Sequence, residues 1–414
     1  MKNYTLNKNV ILHINKDNKY KNVSMFINFA NVFTKENKID RMILANMMRK
    51  KSQKYDSQEK LTKALDELYG AKFIANTNSI GKVFNFTVVS SVLNTKFTND
   101  NDLKKQVDFT MEVLLNPLIN EASLKESLYL SRAQNSRKND SPNTYAMSQV
   151  RKFIGKGTHY ENSGILDDED FDLINLKRIR NAYNDMIAND RIDIFVFGDV
   201  DEKLVIQYLS EYSLPSREIE LDLKEKINIE EEFEIVETKK ISQSTQIIVY
   251  EYKVNDDVKE KYQMLTANSM FGQSPTSMLF QEVREKNSLC YSIYSSTYYY
   301  EGLLMVVTNI DNKDAVKVKE LVELQRFNMT SGKFDIEQLN SSKMLLCDNL
   351  NSSSDEMVST FYFDLTSIFL KTERNMDDII DVVSNVKLDD VKTAFNKLVY
   401  KGTYLLKPEV NEDE

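Results

Sequence analysis

The chain of 414 residues is longer than one hydrophobic core normally supports, so its length predicts two or three domains. Its apolar fraction of 41% and charged fraction of 28% are typical of soluble globular proteins and argue against both a disordered and a membrane-embedded chain. The net charge of -9, with basic residues interspersed among acidic ones, argues against a nucleic-acid partner, because phosphate binding needs a clustered basic surface.

The cysteines and the hydropathy of the sequence indicate the cellular compartment. Cys290 and Cys347 are the two cysteines and have no CxxC spacing, so neither a disulfide framework nor a thiolate zinc site is expected. The first residues contain no apolar run of signal-peptide length, and no uncharged apolar stretch reaches about 18 residues. We therefore expect a cytoplasmic protein without a membrane span.

The first half of the chain alternates short apolar runs with stretches of helical period. Within residues 38–69 the second helix is well signalled, since Asp56 or Ser57 can cap it and Gly70 can end it. The patterns predict strands at residues 10–14, 23–29, 71–77 and 82–90, helices within 38–69, 101–151 and 166–188, and a buried strand followed by a helix within 191–212.

The second half repeats this order. A helix through residues 280–285 ends near Asn287, residues 289–310 supply a pair of strands, and residues 313–327 supply the next helix. The two halves are offset by roughly 215 residues, which predicts duplicated α+β domains. The segment 215–235 between them is highly charged and has no clear core face before Phe233, so we expect a linker there and domains at 1–214 and 236–414.

Two segments carry a resemblance to a known family. They are SMFGQSPTSMLFQEVREKNSLCYSIYSSTYYYEGLLMVV at residues 269–307 and LTKALDELYGAKFIANT at residues 61–77. The chain resembles the pitrilysin/insulinase metallopeptidases over nearly its whole length, in the half-size bacterial branch related to mitochondrial processing peptidases. The resemblance implies an α+β fold with two homologous domains, each a mixed, mainly antiparallel sheet covered by helices. It also implies pairing with another two-domain chain to close a chamber over peptide substrates.

Active members of that family carry His-x-x-Glu-His on a helix of the first domain, where two imidazoles on one face bind zinc and the glutamate activates water. Alignment of residues 42–55 with this motif puts Met42 and Asn46 at the histidine positions and Ala45 at the glutamate position. A later ligand position falls at Gln134. A thioether and amides are poor zinc ligands and a methyl group takes no proton, so the resemblance implies a degenerate zinc site and no metal or other cofactor in this chain.

The two histidines of the chain are His13 and His159, and no alignment register can build the motif from them. His13 lies in a predicted strand, and His159 lies in a predicted loop, GTHYENSG, where family members often carry a His-x-Tyr segment. We expect ordinary structural roles for both.

The other half of the family's chemistry is present in the second domain. The resemblance assigns Arg284 and Tyr291 to the pair that reaches a zinc site, orients substrate carbonyls and stabilises the oxyanion of the tetrahedral intermediate. An arginine at a helix end followed by a tyrosine in a strand is also a common packing arrangement. Tyr294 and Tyr298 are candidate substrate contacts, with plain strand surface as the alternative. Gly272, in FGQSPTS, marks a candidate substrate loop that is shorter and poorer in glycine than in mitochondrial relatives.

Two functions fit these residues. In the first, the chain is the non-catalytic subunit of a heterodimeric zinc endopeptidase, inactive alone, with zinc in a homologous partner that carries His-x-x-Glu-His. It would bind peptide partly by strand addition and serve the maturation of a ribosomally made peptide. The alternative is a catalytically inert peptide-binding or structural scaffold of the same fold. A self-sufficient peptidase has no support, since no serine nucleophile elbow or Cys/His pairing is present.

Overall fold

The structure is a computed structural model that describes residues 1–7, 10–98, 102–215, 219–255 and 257–409. The strands are β1 (Lys2–Asn7), β2 (Val10–Asn15), β3 (Asn22–Val32), β4 (Lys72–Ile80), β5 (Val83–Leu93), β6 (Arg191–Phe197), β7 (Phe233–Lys239), β8 (Ser244–Glu251), β9 (Cys290–Tyr298), β10 (Leu303–Ile310) and β11 (Val399–Pro408). The helices are α1 (Lys35–Met48), α2 (Gln58–Asp66), α3 (Asp102–Leu115), α4 (Glu121–Asp140), α5 (Pro142–Ile154), α6 (Asp168–Asp172), α7 (Leu176–Asn189), α8 (Glu202–Ser210), α9 (Val258–Asn268), α10 (Ala315–Ser331), α11 (Ile336–Asp355), α12 (Met357–Phe369), α13 (Met376–Ser384) and α14 (Leu388–Phe395).

The chain forms two compact units. Unit 1 comprises Met1–Ser136, Leu166–Leu223 and Phe361–Phe369, and unit 2 comprises Arg137–Ile165, Lys224–Thr360 and Leu370–Glu414. Each unit contains one mixed, mainly antiparallel sheet covered by helices, so the predicted α+β fold class is confirmed. In the described ranges, no helix is long and apolar enough to cross a membrane.

The sheet of unit 1 has the strand order β1-β2-β6-β3-β5-β4. Strands β2 and β6 run parallel and the other neighbours run antiparallel. Helix α1 packs on β4 and β5 and is buried over most of its length. Its first turn is fixed by a capping box in which Thr34 Oγ1 accepts from Asn37 N and Asn37 Oδ1 accepts from Thr34 N, both at 3.0 Å.

The sheet of unit 2 has the order β7-β11-β8-β10-β9, so β9 is an edge strand. Strand side chains alternate between two faces. On one face Ile248 and Tyr250 of β8 pack in a cluster with α9, α10 and α14. On the other face Ile247 and Val249 pack with Ala146 and Val150 of α5. Helix α5 therefore covers the sheet face opposite to the main helical layer of unit 2.

Several predicted elements are confirmed. Ser57 caps α2, because its Oγ accepts from Lys60 N at 3.2 Å, and Gly70 beyond the helix has the left-handed φ of +71°. Strands β9 and β10 form the antiparallel pair predicted within 289–310, and α10 follows them. The helical region 101–151 is divided into α3, α4 and α5.

The predicted domain boundaries need correction. Residues 137–165 belong to unit 2, because α5 fills a face of its sheet, and residues 361–369 belong to unit 1, where Phe361 stacks on Phe26 with ring centroids 4.6 Å apart. The predicted linker 215–235 is not a free, charged segment in its described part. Its apolar residues are buried at alternate positions, namely Leu221, Leu223, Ile227 and Ile229.

Candidate functional site

Helix α1 carries the residues that align with the family's zinc motif. Met42, Ala45 and Asn46 have the i, i+3, i+4 spacing that brings side chains onto one helical face. Met42 is half-buried, Ala45 is buried, and Asn46 is only 3% exposed. The face therefore presents a thioether, a methyl group and one amide.

The Asn46 amide is engaged at both of its polar atoms. Its Nδ2 donates to Ser131 Oγ on α4 at 2.7 Å. Its Oδ1 accepts from Nη2 of Arg49, and Arg49 Nε donates to the carbonyl oxygen of Ala45 at 3.4 Å. A cation approaching the Asn46 oxygen would therefore meet a guanidinium group that is already bonded there.

The structure places Ser131 next to Asn46, whereas the alignment put the later ligand position at Gln134. Ser131 is buried and Gln134 is exposed. The two residues are separated by three positions on α4, which is nearly one helical turn. The residue that contacts Asn46 thus lies three positions before Gln134, and the assignment of Gln134 to the later ligand position stays a prediction.

These residues do not fit a zinc ion. Serine, asparagine and methionine replace the imidazole and carboxylate ligands that zinc prefers, and the neighbourhood is already cationic. Burial lowers the pKa of Arg49, yet a guanidinium stays charged at neutral pH. Lys50 and Lys51 lie 2.5 Å and 3.1 Å from the carboxylate oxygens of Glu126, and the hydrogen bond from Lys50 is the main cause of the lowered pKa of Glu126.

Arg284 lies on the π-helical segment Phe280–Lys286 of unit 2. Its guanidinium carbon is 4.6 Å from the centroid of the Phe280 ring, and its Nε is 3.9 Å from Glu285 Oε1. The side chain is 43% exposed. It is thus positioned by an aromatic ring on its own helix and keeps access to solvent.

Tyr291 follows on β9 after a tight connection. Ser288 has the left-handed φ of +53° and donates its N–H to the Arg284 carbonyl at 3.0 Å. Tyr291 is 69% exposed. Burial raises the pKa of the neighbouring Cys290 thiol, and a hydrogen bond with Thr308 and the charge of Arg284 oppose that rise. The turn therefore presents an exposed guanidinium and an exposed phenol from adjoining elements.

The other predicted substrate contacts divide into two groups. Tyr294 is 38% exposed on β9, and Tyr298 is half-buried against α5 with its hydroxyl 3.8 Å from Met147 Sδ. Gly272, in contrast, is buried, and a Cβ there would lie 2.5 Å from Ser295 Oγ. Close packing against Ser295 explains this glycine, and a substrate contact at this segment stays a prediction.

The two histidines are buried. His13 lies in β2 as predicted, with Nε2 at 3.0 Å from Asp193 Oδ1 and its ring stacked on Phe195. His159 is more than a simple loop residue, because its ring bridges Glu225 and Glu301 of the same unit. Its neighbours in sequence gave no sign of these carboxylates, which are 66 and 142 positions away.

Comparison with known proteins supports the resemblance. A family model described as "Peptidase M16 inactive domain" matches residues 173–346. The probable inactive metalloprotease YmfF of Bacillus subtilis is 24% identical to the chain, with 95% of each chain covered. A conserved protein from Enterococcus faecalis superposes with a TM-score of 0.93 at 24% identity, covering 100% of this chain and 99% of that one. A peptidase M16 inactive domain from Pseudomonas fluorescens gives 0.79 at 14% identity, with the same coverage.

These matches agree with the observed fold, in which each of two units has a mixed sheet covered by helices. Residues 173–346 thus match the M16 inactive-domain model, and the whole chain resembles the pitrilysin/insulinase (M16) metallopeptidases in a form whose sequence lacks the His-x-x-Glu-His motif.

Proposed function

We propose that this chain is the non-catalytic subunit of a two-chain zinc endopeptidase. It binds peptide in a chamber closed by a homologous subunit, and it lends Arg284 and Tyr291 to the zinc site of that partner. The zinc belongs to the partner's His-x-x-Glu-His motif, and the physiological task is the maturation of a ribosomally made peptide.

One observation supports the proposal most directly: the position of the zinc motif is closed by the protein's own side chains, whereas the Arg and Tyr assigned to substrate and oxyanion binding are accessible. At the motif position, Asn46 is buried and bonded to Ser131 and Arg49, so the site is filled by the protein itself. Arg284 and Tyr291, in contrast, remain exposed, so the guanidinium and the phenol are both accessible to a substrate or to a partner's site. Such donors stabilise the negative charge that develops on a carbonyl oxygen during attack by water.

Peptide binding is supported by the position of β9. As an edge strand it pairs with a neighbouring strand of the described sheet on one side, and an extended peptide could add to its other side by main-chain hydrogen bonds. Tyr291 and Tyr294 lie on this strand. A peptide paired with β9 would therefore run past the same residues that are assigned to catalysis and substrate contact.

The test begins with native mass spectrometry and a zinc count on the tagged protein recovered from its own cells. We expect a complex of about twice the chain mass that contains one zinc ion and a second, related polypeptide. A zinc-free monomer or homodimer would overturn the two-chain peptidase and favour an inert scaffold.

Two variants then test the assisting residues in the reconstituted complex. Arg284→Ala and Tyr291→Phe should each lower turnover by about 10²-fold, the usual effect of losing one oxyanion donor, without preventing assembly. Lys286→Ala is the matched control, because Lys286 is exposed on the same helical segment and pairs with Glu282. Full turnover in both variants would remove the pair from the mechanism.

A further inference from the structure

Unit 2 contains a cavity of about 310 Å³ between α5 and the edge strand β9. This volume is at the small end of the range for ligand sites and suits one side chain better than a large cofactor. Two tyrosines of β9, Tyr294 and Tyr298, form one wall. The lining residues of α4, α5 and the segment after α5 include Lys138, Asn143, Thr144, Met147, Arg151 and Ile165.

Among the described residues, those that line the cavity include cationic groups and no acidic one. Arg151 and Lys138 line it, and no carboxylate forms an ion pair with either of them within the described ranges. The guanidinium carbon of Arg151 lies 5.2 Å and 5.5 Å from the ring centroids of Tyr160 and Tyr298. Aromatic rings hold a cation in place without neutralising its charge, so the site keeps its attraction for an anion.

Hydrogen-bonding capacity at this cavity is only partly used. Arg151 Nε is enclosed and has no hydrogen-bond partner among the described residues. The Tyr298 hydroxyl has the Met147 sulfur at 3.8 Å, and a thioether is a weak acceptor. A carboxylate oxygen would be a better acceptor for both donors, because hydrogen bonds between ionised groups are the stronger kind.

The first turn of α5 also favours binding of an anion at this cavity. Asn143 and Thr144 line the cavity immediately after Pro142, where α5 begins. Ser141, the N-cap residue, makes no capping hydrogen bond with its side chain. Uncapped N–H groups and the positive end of the helix dipole favour an anion at this end of the helix.

We infer that this cavity binds a carboxylate of an extended peptide, with an acidic side chain as the fitting source. Side chains of a strand that pairs with β9 would alternate between the two sheet faces, and those on the α5 side would point toward Tyr294 and the cavity. The apolar Met147 and Ile165 suit the aliphatic stem, and Arg151 and Lys138 suit the charged end. The inference deepens the proposed function by naming acidic peptides as the preferred substrate class.

Calorimetric titration of the isolated full-length chain tests this with three short β-prone peptides of one sequence. The first has a central Glu and blocked termini, the second has Gln in its place, and the third has Gln with a free C-terminal carboxylate. We expect the Glu peptide to bind about tenfold more tightly than the Gln peptide, with the advantage reduced by salt. A gain for the third peptide instead would identify the chain terminus as the source of the carboxylate, which still supports the site.

Variants locate the effect in the cavity. Arg151→Met should abolish the preference for Glu, and Arg151→Lys should retain part of it. Tyr298→Phe, which keeps the aromatic ring and removes the hydroxyl, should weaken the preference for Glu. This second variant tests the cavity if Arg151→Met does not fold. Lys156→Met is the matched control, because Lys156 is exposed just beyond α5 and does not line the cavity, so its loss should leave the preference unchanged.

The outcomes separate this inference from the proposed function. Equal affinity for the Glu and Gln peptides, or a preference that survives Arg151→Met, overturns the carboxylate site while leaving peptide binding in place. Failure of all three peptides to bind at millimolar concentration overturns both. A preference for Glu in the titration, combined with native mass spectrometry that finds no zinc-bearing partner in the protein recovered from cells, supports the site and overturns the two-chain peptidase.

Discussion

Replacement of Glu301 by glutamine should destabilise unit 2 in acid more than in base. His159 is buried between two carboxylates, with Nδ1 2.5 Å from Glu225 Oε2 and Nε2 3.3 Å from Glu301 Oε1. Burial lowers the pKa of His159, but the hydrogen bonds and charges of Glu301 and Glu225 outweigh it, so the pKa in the folded protein is raised above the ordinary value. The imidazolium is therefore the form that the fold favours.

The sign and size of the effect follow from this geometry. A group with a raised pKa in the folded state contributes stability that is fully present below its unfolded pKa, about 6.5, and is lost as the pH rises through the folded pKa. A hydrogen bond to a charged group contributes about 1.5–3 kcal/mol. The Glu301 side chain is only 10% exposed, so screening is weak, but the long contact favours the lower half of that range, about 2 kcal/mol. Near pH 8, a glutamine amide can donate to the neutral ring, so the cost should fall below about 1 kcal/mol.

Scanning calorimetry of the wild type and Glu301→Gln at about pH 5.5 and pH 8 measures this difference. For a unit of roughly 200 residues, 2 kcal/mol corresponds to about 4–8 °C in Tm, so we expect a fall of that size in acid and less than half of it in base. Glu320→Gln is the control, because Glu320 forms an exposed pair with Lys317 on the surface of α10, and the Tm of this variant should change little at either pH. An equal fall at both pH values would refute the role of the imidazolium.

Three further substitutions test the packing on which the sites depend. Arg41→Met should lower the free energy of unfolding in urea by about 3–5 kcal/mol, because the buried Asp190 would lose a guanidinium whose nitrogens lie 2.5 and 2.8 Å from its oxygens. An unchanged free energy of unfolding would contradict the buried pair. Gly272→Ala should lower the free energy of unfolding by about 1–3 kcal/mol, because the added methyl group would clash with Ser295. The double variant that also carries Ser295→Gly should recover part of the lost stability. Phe361→Ala should cost about 3–5 kcal/mol, and hydrogen exchange should show the loss of protection in unit 1, to which Phe361 belongs.

Much of the fold could be predicted because its signals are local. The cap at Ser57, the strand pair of β9 and β10 and the helix α10 each follow from a few neighbouring residues. The charged segment 215–235 was misjudged because its alternating Leu221, Leu223, Ile227 and Ile229 are diluted by acidic and basic residues. An alternation count over that segment would have given a signal for its burial.

The candidate sites were only partly open to prediction. Met42, Ala45 and Asn46 could be placed from one motif, and Arg284 and Tyr291 from another, and the assisting role of that pair stays a prediction. Ser131 and Arg49 were missed, although each completes the surroundings of Asn46. Arg151 was missed as well, because nothing in the sequence near it identifies the tyrosines Tyr160 and Tyr298 that hold its guanidinium.

By itself the sequence determined which chemistry this chain lacks: with two histidines and no His-x-x-Glu-His, it has no set of ligands for the family's zinc site. Composition and motif spacing are properties of the covalent chain, so no folding information is needed to read them. Only the tertiary structure decided that Asn46 is bonded to Ser131 and Arg49, that His159 bridges two carboxylates, and that Arg151 faces a cavity beside an edge strand. Those contacts join residues far apart in the sequence, and the packing of helices on each sheet, which local periodicity does not specify, brings them within hydrogen-bond distance.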